Sequence, residues 1–378
     1  MTFQNSKIPV ALLGATGMVG QRMVERLVNH PWFELVFIGA SERSAGLSYE
    51  DAVHWCFEAD IPERIKTMTV ELCKPEFLPK EVKIVFSALD SKVAGTTESL
   101  FFEYSKNSGI FIISNASNHR MNPNVPLLIP EVNPHHLDLL KQDDVIPTRG
   151  IITNPNCCVI PLALTLAPIH EHWGVESVCV ATYQSVSGAG YPGESAWDMV
   201  GNVHPHPGNE ELKISEETPK ILDANIVISA RAVRVPTADG HLLSVQIKLK
   251  NIEPHQVTES LLKEISSTLS NWTGHHEFQP TPSTPTPIIQ LMRKSERARP
   301  SPRFDCNRGH SNLSSEHAHL ARGMTVSVGR IEHCAVMGIK LFCLAHNTIR
   351  GAAGAALANA ELLVSKGWVS FLGIQQDN

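Results

Sequence analysis

Cys157 carries the first chemical signal in this chain. It follows Asn154-Pro155-Asn156, which reads as a turn because Pro fixes φ and Asn tolerates turn conformations. Behind it runs an apolar, Leu/Ala-rich segment with Pro161 in its first turn, which suits a helix start. A cysteine at a helix N-terminus meets unpaired N–H groups and the positive end of the dipole. Both favour thiolate over thiol and so a nucleophile. On this stretch alone, Cys157 and Cys158 read equally as small buried hydrophobes, so the rest of the chain has to decide.

A nucleophilic thiolate needs a partner that moves protons, and His is the residue whose pKa lies near neutrality. His241 stands at a strand start, after the turn Thr237-Ala-Asp-Gly240, with Arg234 on the strand before. A hairpin between those strands would bring Arg234 and His241 to one mouth.

Gly14-Ala15-Thr16-Gly17-Met18-Val19-Gly20 supplies the third ingredient. It sits between an apolar run, Lys7 to Leu13, and a helical pattern over Val19 to Asn29, the context a dinucleotide fingerprint requires. The spacing is GxxGxxG rather than GxGxxG, but the glycines serve the same close approach of backbone to pyrophosphate. The second strand, Phe33 to Gly39, ends in Ser41-Glu42-Arg43-Ser44 rather than in a lone acidic residue. A guanidinium flanked by hydroxyls suits a ribose 2′-phosphate, which selects NADP over NAD.

The elements that position these groups alternate. Strands at 83–87 and 110–114 and a helix at 92–107 continue the βαβ pattern and predict a doubly wound parallel sheet, an α/β fold. Ser87, Asn115 and Arg120 fall beyond strand C-terminal ends, where ligands bind in such sheets. The polar stretch around 142–149 marks a passage to a second domain that opens with the Cys157 helix. There the pattern predicts strands at 175–185, 226–235, 241–250, 324–331 and 335–344. Helices are expected at 210–222, near 255–269 and at 351–366. A flexible Val186-Ser-Gly188-Ala-Gly190 follows the first of those strands. Residues 271–320, rich in Pro, Ser, His and Arg, read as an extended, mobile excursion.

Composition narrows the function. The chain has 378 residues, 42% hydrophobic and 19% charged, with a formal net charge of −6. That is enough for two globular domains, and no single-sign run invites nucleic acid or an anionic membrane. No apolar run approaches the ~20 residues of a membrane span, and Met1 to Lys7 lacks a signal-peptide build, so the expected location is the cytoplasm. Eight scattered cysteines form no CxxC pair, which argues against a disulfide scaffold or zinc site. His204-Pro-His206 and His275-His276 have no carboxylate or Cys at ligand spacing, so no metal is expected.

A thiolate with a nicotinamide partner oxidises an aldehyde through a thiohemiacetal and a thioester, or runs the reverse. The motifs Gly14 to Gly20, Arg43-Ser-Ala-Gly46, Ser114-Asn-Ala-Ser-Asn-His-Arg-Met121, Asn154-Pro-Asn-Cys157, Tyr183-Gln-Ser-Val-Ser-Gly-Ala-Gly-Tyr-Pro-Gly193, Arg234 to His241 and His346-Asn-Thr-Ile-Arg-Gly-Ala-Ala-Gly354 occur in this order. In them the chain resembles the aspartate-β-semialdehyde dehydrogenases of archaea and fungi, nearly end to end.

The resemblance implies a Rossmann-type domain over 1–152 and 347–378. It implies an α+β catalytic and dimerisation domain of the glyceraldehyde-3-phosphate-dehydrogenase-like type over 153–346. It implies NADPH-dependent reduction of β-aspartyl phosphate to aspartate semialdehyde, feeding lysine, threonine and methionine synthesis, in a homodimer or homotetramer. Cys157 matches the nucleophile, His241 the acid/base and Gln184 the residue that orients the acyl-enzyme. Arg234, aided by Glu210, matches the substrate carboxylate anchor, and Arg120 and Lys213 match the phosphate ligands. Gly188, Ser87 and Asn347 join the glycine loop and Ser41, Arg43 and Ser44 around the cofactor. Cys158 departs from the pattern, standing where the family has a small hydroxyl residue, and so does His204-Pro-His-Pro-Gly-Asn209. Two enzyme rivals share this scaffold, one using malonyl-CoA and one an N-acylglutamyl phosphate. A catalytically silent NADP-binding paralogue is the third.

Overall fold

A computed structural model describes residues 7–292, 299–311 and 314–371. Most of the Met1–Lys7 segment, parts of the 271–320 excursion and the last seven residues lie outside the described residues.

The first sheet has six strands: β1 (Ile8–Leu13), β2 (Phe33–Ala40), β3 (Glu71–Leu72), β4 (Ile84–Ser87), β5 (Phe111–Ser114) and β6 (Gly150–Thr153). Their order is β3-β2-β1-β4-β5-β6, and every pairing is parallel. This is the strand order of a dinucleotide-binding fold, with its switch point between β1 and β4. The strands read as unbroken apolar runs because helices cover both faces. One face packs against the helices Met18–Leu27 and Gly354–Ser365, through Met23, Val24, Ala356, Leu357 and Ala360. The other receives the helix Ser91–Tyr104 through Phe101. The final helix therefore returns to the first sheet. The sequence pattern missed β6, a four-residue strand behind a polar stretch; it pairs with β5 at the sheet edge.

The second sheet contains β7 (Val175–Gln184), β8 (His204–Pro205), β9 (Val227–Arg234), β10 (His241–Leu249), β11 (Ile289–Leu291), β12 (Val326–Cys334) and β13 (Gly338–Ala345). Its order is β11-β12-β13-β10-β7-β9-β8. The helices Val159–Trp173 and Glu259–Asn271 cover one face, where Ile160, Leu164 and Ile265 meet Val178, Val245 and Leu341.

One topological expectation is overturned. β9 and β10 are not a hairpin, because β7 lies between them, parallel to β9 and antiparallel to β10. The turn 235–240 spans a whole strand. Arg234 and His241 still reach one mouth, since Gln184 pairs with Arg234 and Tyr183 with Leu242 at the same end of β7. The described part of 271–320 is not extended throughout: β11 adds a parallel edge to β12, and short helical turns follow at Pro302–Asp305 and Ser315–Leu320.

Candidate active site

The Asn154–Cys158 turn joins β6 to the helix Val159–Trp173, with Cys158 at the N-cap. Three elements pin it. Asn154 Nδ2 donates to Asn115 Oδ1 (3.0 Å) beside the first sheet and to the Ala352 carbonyl (3.1 Å) before the last helix. Asn156 Oδ1 accepts the Cys158 amide at 2.9 Å, the capping bond that opens the helix. The Asn156 amide donates to Glu217 (2.7 Å) and its side chain to Glu210 Oε2 (2.8 Å) on the helix Glu210–Ile221. These bonds hold the turn that carries Cys157 against both domains.

The sulfurs of Cys157 and Cys158 and a ring nitrogen of His241 lie within 4.8 Å of one another. The thiol of Cys157 is held well below its usual range, first by a hydrogen bond from Cys158, against the opposing effect of burial, and then by His241. Burial pushes Cys158 in the opposite direction, reinforced by Cys157. The two sulfurs are thus driven apart, Cys157 toward the thiolate and Cys158 toward the thiol that donates to it.

His241 is fully buried, and its Nδ1 accepts the Ser185 amide at 3.1 Å. An acceptor Nδ1 places the neutral ring's proton on Nε2. Nε2 has no hydrogen-bond partner among the described residues. It is the ring nitrogen free to serve the sulfur and whatever binds there.

Gln184 and Arg234, neighbours across β7 and β9, form the next layer. Arg234 Nη1 donates to Gln184 Oε1 (3.0 Å) and to the Ser185 carbonyl (3.1 Å), while Nε donates to Glu194 (3.1 Å). Gln184 Nε2 reaches Glu210 Oε2 at 3.4 Å. Burial would raise Glu210, but Lys213 at 2.7 Å and Asn156 more than offset it, and the carboxylate stays below its usual range. Arg120 is buried against Glu217 (3.0 Å) with its Nε unpartnered among the described residues. Burial, the largest influence on Glu217, leaves it raised despite Arg120. Gly188 adjoins the same cluster: a Cβ there would lie 2.8 Å from Arg234 Nη1 and 3.0 Å from His241 Cε1.

The structure thus brings Cys157, His241, Gln184, Arg234, Glu210, Lys213, Arg120 and Gly188 into one constellation. Asn347 belongs to its second layer. Its Oδ1 accepts the Gly240 amide (2.9 Å) and the Ser185 hydroxyl (3.0 Å), tying the His241 turn to β7. Glu194, Glu217, Ser185 and Asn156 were not anticipated. Glu217, one turn beyond Lys213 on the same helix, was findable in principle by its spacing, but not its partner.

The nucleotide residues gather at the C-terminal ends of β1 and β2. Gly14 adopts φ +78, and a Cβ there would stand 2.7 Å from the Ala88 carbonyl oxygen, so glycine is required. Gly20 packs tightly on Gly14. The N-cap Gly17 offers no side-chain cap, so the amides of Met18, Val19 and Gly20 face outward as an anion cradle, with Thr16 beside them. Ser41 and Arg43 are exposed and Ser44 half-buried in the turn after β2. Arg43 has no ion pair among the described residues, as a guanidinium reserved for a phosphate would not. These features fit a 2′-phosphorylated dinucleotide. Ser87 differs from the others: it ends β4 fully buried, and its carbonyl accepts from Asn115.

Histidines meet carboxylates in space where the sequence showed no such spacing. His204 pairs with Glu194 at 2.9 Å, and His135 and His136 converge on Asp223. The His136 Nδ1, however, accepts from the Asn133 amide (2.9 Å). Its proton is therefore on Nε2 and donated to Asp223.

Two family models match the chain: the semialdehyde dehydrogenase NAD-binding domain over residues 9–140 and its dimerisation domain over 166–350. The aspartate-semialdehyde dehydrogenase of Schizosaccharomyces pombe is 38% identical, covering 95% of this chain and 98% of its own. That of Archaeoglobus fulgidus is 37% identical, covering 94% and 98%. A crystal structure of the Candida albicans enzyme with NADP superposes with a TM-score of 0.82 at 33% identity, covering 96% of this chain and 100% of that one.

Proposed function

The chain belongs to the aspartate-semialdehyde dehydrogenase family, and from that premise we propose that Cys157 is the nucleophile that takes the acyl group of β-aspartyl phosphate. The observation that carries this reading is the thiolate-favouring place of Cys157, at a helix start beside Cys158 and His241.

The Cys157 thiolate attacks the acyl carbon and phosphate leaves, giving a thioester. Arg120 and Lys213 neutralise the departing phosphate, each swapping a carboxylate partner for it. Arg234, aided by Glu210, holds the substrate carboxylate, and Gln184 orients the thioester. NADPH, when bound, supplies hydride to the thioester carbon. His241, having first taken up a proton to become imidazolium, then gives its Nε2 proton to the oxygen on which charge develops, so that the ring ends neutral. His241 takes that proton back at Nε2 as the thiohemiacetal collapses, releasing aspartate semialdehyde and restoring the Cys157 thiolate. The product feeds lysine, threonine and methionine biosynthesis.

Residues 1–152 and 347–378 form the nucleotide-binding domain in this reading, and 153–346 the catalytic one; packing of the helix Gly354–Ser365 on the first sheet supports that division. The oligomer is a homodimer or homotetramer built on the second sheet, whose strands carry the exposed apolar residues Tyr183 and Val227. The location is the cytoplasm, which suits eight free cysteines.

Cys157→Ala tests the assignment. Turnover should vanish while NADPH binding persists. With aspartate semialdehyde as substrate, NADP reduction should depend on phosphate. A requirement for coenzyme A instead would move the chain to the malonyl-CoA class, and a fully active Cys157→Ala would remove the nucleophile.

A further inference from the structure

Cys158 touches no substrate in the proposed acyl transfer and acts there only through Cys157, yet its sulfur stands with Cys157 and His241 as a compact set of three soft ligands. We propose that Cys157, Cys158 and His241 form a binding site for a thiophilic divalent cation, of which zinc is the type, and that its occupation switches the enzyme off.

The donor set is two sulfurs and one imidazole nitrogen, the chemistry that selects zinc over magnesium or calcium. Tetrahedral bonds of about 2.3 Å to sulfur and 2.0 Å to nitrogen require ligand atoms roughly 3.3–3.8 Å apart. The three atoms are already within 4.8 Å of one another, and Cys157, the only one of the three not fully buried, supplies the adjustment. Within the cluster, Nε2 of fully buried His241 has no hydrogen-bond partner among the described residues. Three protein ligands leave a fourth position open toward the substrate space, where water completes the shell.

The proton balance is explicit. Cys158 loses its thiol proton to solvent, and Cys157 is bound as thiolate. The ring proton moves from Nε2 to Nδ1, where Ser185 Oγ at 3.2 Å accepts it in place of the bond the Ser185 amide now donates. A metal so held ties up the sulfur and the ring nitrogen together. Binding rests on the cluster alone; only the inhibition rests on Cys157 being the nucleophile.

The experiment compares the whole chain with its Cys158→Ser variant. Zinc affinity is measured by competition with a chromophoric chelator, and cobalt substitution by absorption spectroscopy. NADPH binding serves as the check on folding. Loss of even an outer-shell partner costs about 10–100-fold in metal affinity, so removal of a sulfur ligand should cost at least about 100-fold. The thiolate-to-cobalt charge-transfer band should weaken in step. Zinc should also block iodoacetamide labelling of Cys157 and suppress turnover, relative to each protein's own metal-free rate. Equal zinc affinity in both proteins, or a cobalt complex without thiolate charge transfer, overturns the site. Tight, Cys158-dependent zinc binding that leaves turnover intact would uphold the site and overturn Cys157 as nucleophile instead.

Discussion

Gly351 sits against Cys157 so closely that a Cβ at 351 would lie 2.6 Å from the Cys157 Cβ. The chain segment that leads back into the nucleotide-binding sheet is therefore the wall behind the nucleophile. Gly351→Ala must push one of the two backbones aside, and the Asn154–Cys158 turn is tied at too many points to yield without losing hydrogen bonds. A displacement of about 1 Å at a reacting atom costs on the order of 100-fold in rate. The expected result is a fall in kcat of about that size, with slower alkylation of Cys157 by iodoacetamide. A kcat within twofold of the parent would show that the wall gives way freely.

Glu217 holds together two parts of the site, the Arg120 guanidinium and the Asn156 amide. Its partner is 7% exposed and Glu217 itself 2%, so neither is rescued by water. Glu217→Gln keeps an acceptor for the Asn156 amide but leaves Arg120 without its counter-charge. Breaking one side of a buried pair costs about 3–5 kcal/mol. Urea unfolding should register a loss of about 3 kcal/mol. A loss under about 1 kcal/mol would mean that Arg120 finds other company.

The contrast between these residues shows what the amino-acid pattern could reveal. The parallel sheet was legible because buried strands read as apolar runs separated by helical periods. β6 escaped because four residues behind a polar segment carry no period. Cys157 and His241 declare themselves by type and by local turn signals. Glu217 and Glu194 do not, since a carboxylate on a helix or loop looks like a solvated charge until its partner arrives from 97 or 40 residues away. The hairpin misreading has the same origin. A six-residue connection suggests adjacent strands, and only packing shows that β7 has been inserted between them.

Arg43 provides a test of cofactor preference. It is exposed in the turn after β2, has no ion pair among the described residues, and stands between Ser41 and Ser44. Hydrogen bonds to a charged group contribute about 1.5–3 kcal/mol, or roughly 10–100-fold in affinity. Arg43→Ala should raise the KM for NADPH by that factor while leaving the KM for NADH within about twofold. Equal effects on both cofactors would place Arg43 away from the 2′-phosphate.

His346, which precedes the Asn347 that ties the His241 turn to β7, predicts how the fold responds to acid. Burial is the main cause that lowers its pKa from 6.5 to about 3, with Asp239 opposing and Arg22 and Arg26 assisting. Between those values the unfolded chain binds a proton that the folded chain refuses. Stability therefore rises with pH across the window and is lost as pH falls from about 6.5 toward about 3. Above the window the ring is neutral in both states and contributes no slope. At 1.36 kcal/mol per pH unit, the loss from pH 6.5 to 5 is about 2 kcal/mol from this ring alone. His30, buried and also lowered chiefly by burial, acts in the same direction. His346→Gln isolates the contribution. Chemical unfolding at pH 7.5 and 5.0 should show the variant losing about 2 kcal/mol less than the parent between the two conditions. Parallel losses in the two proteins would mean that His346 accepts its proton within the folded state.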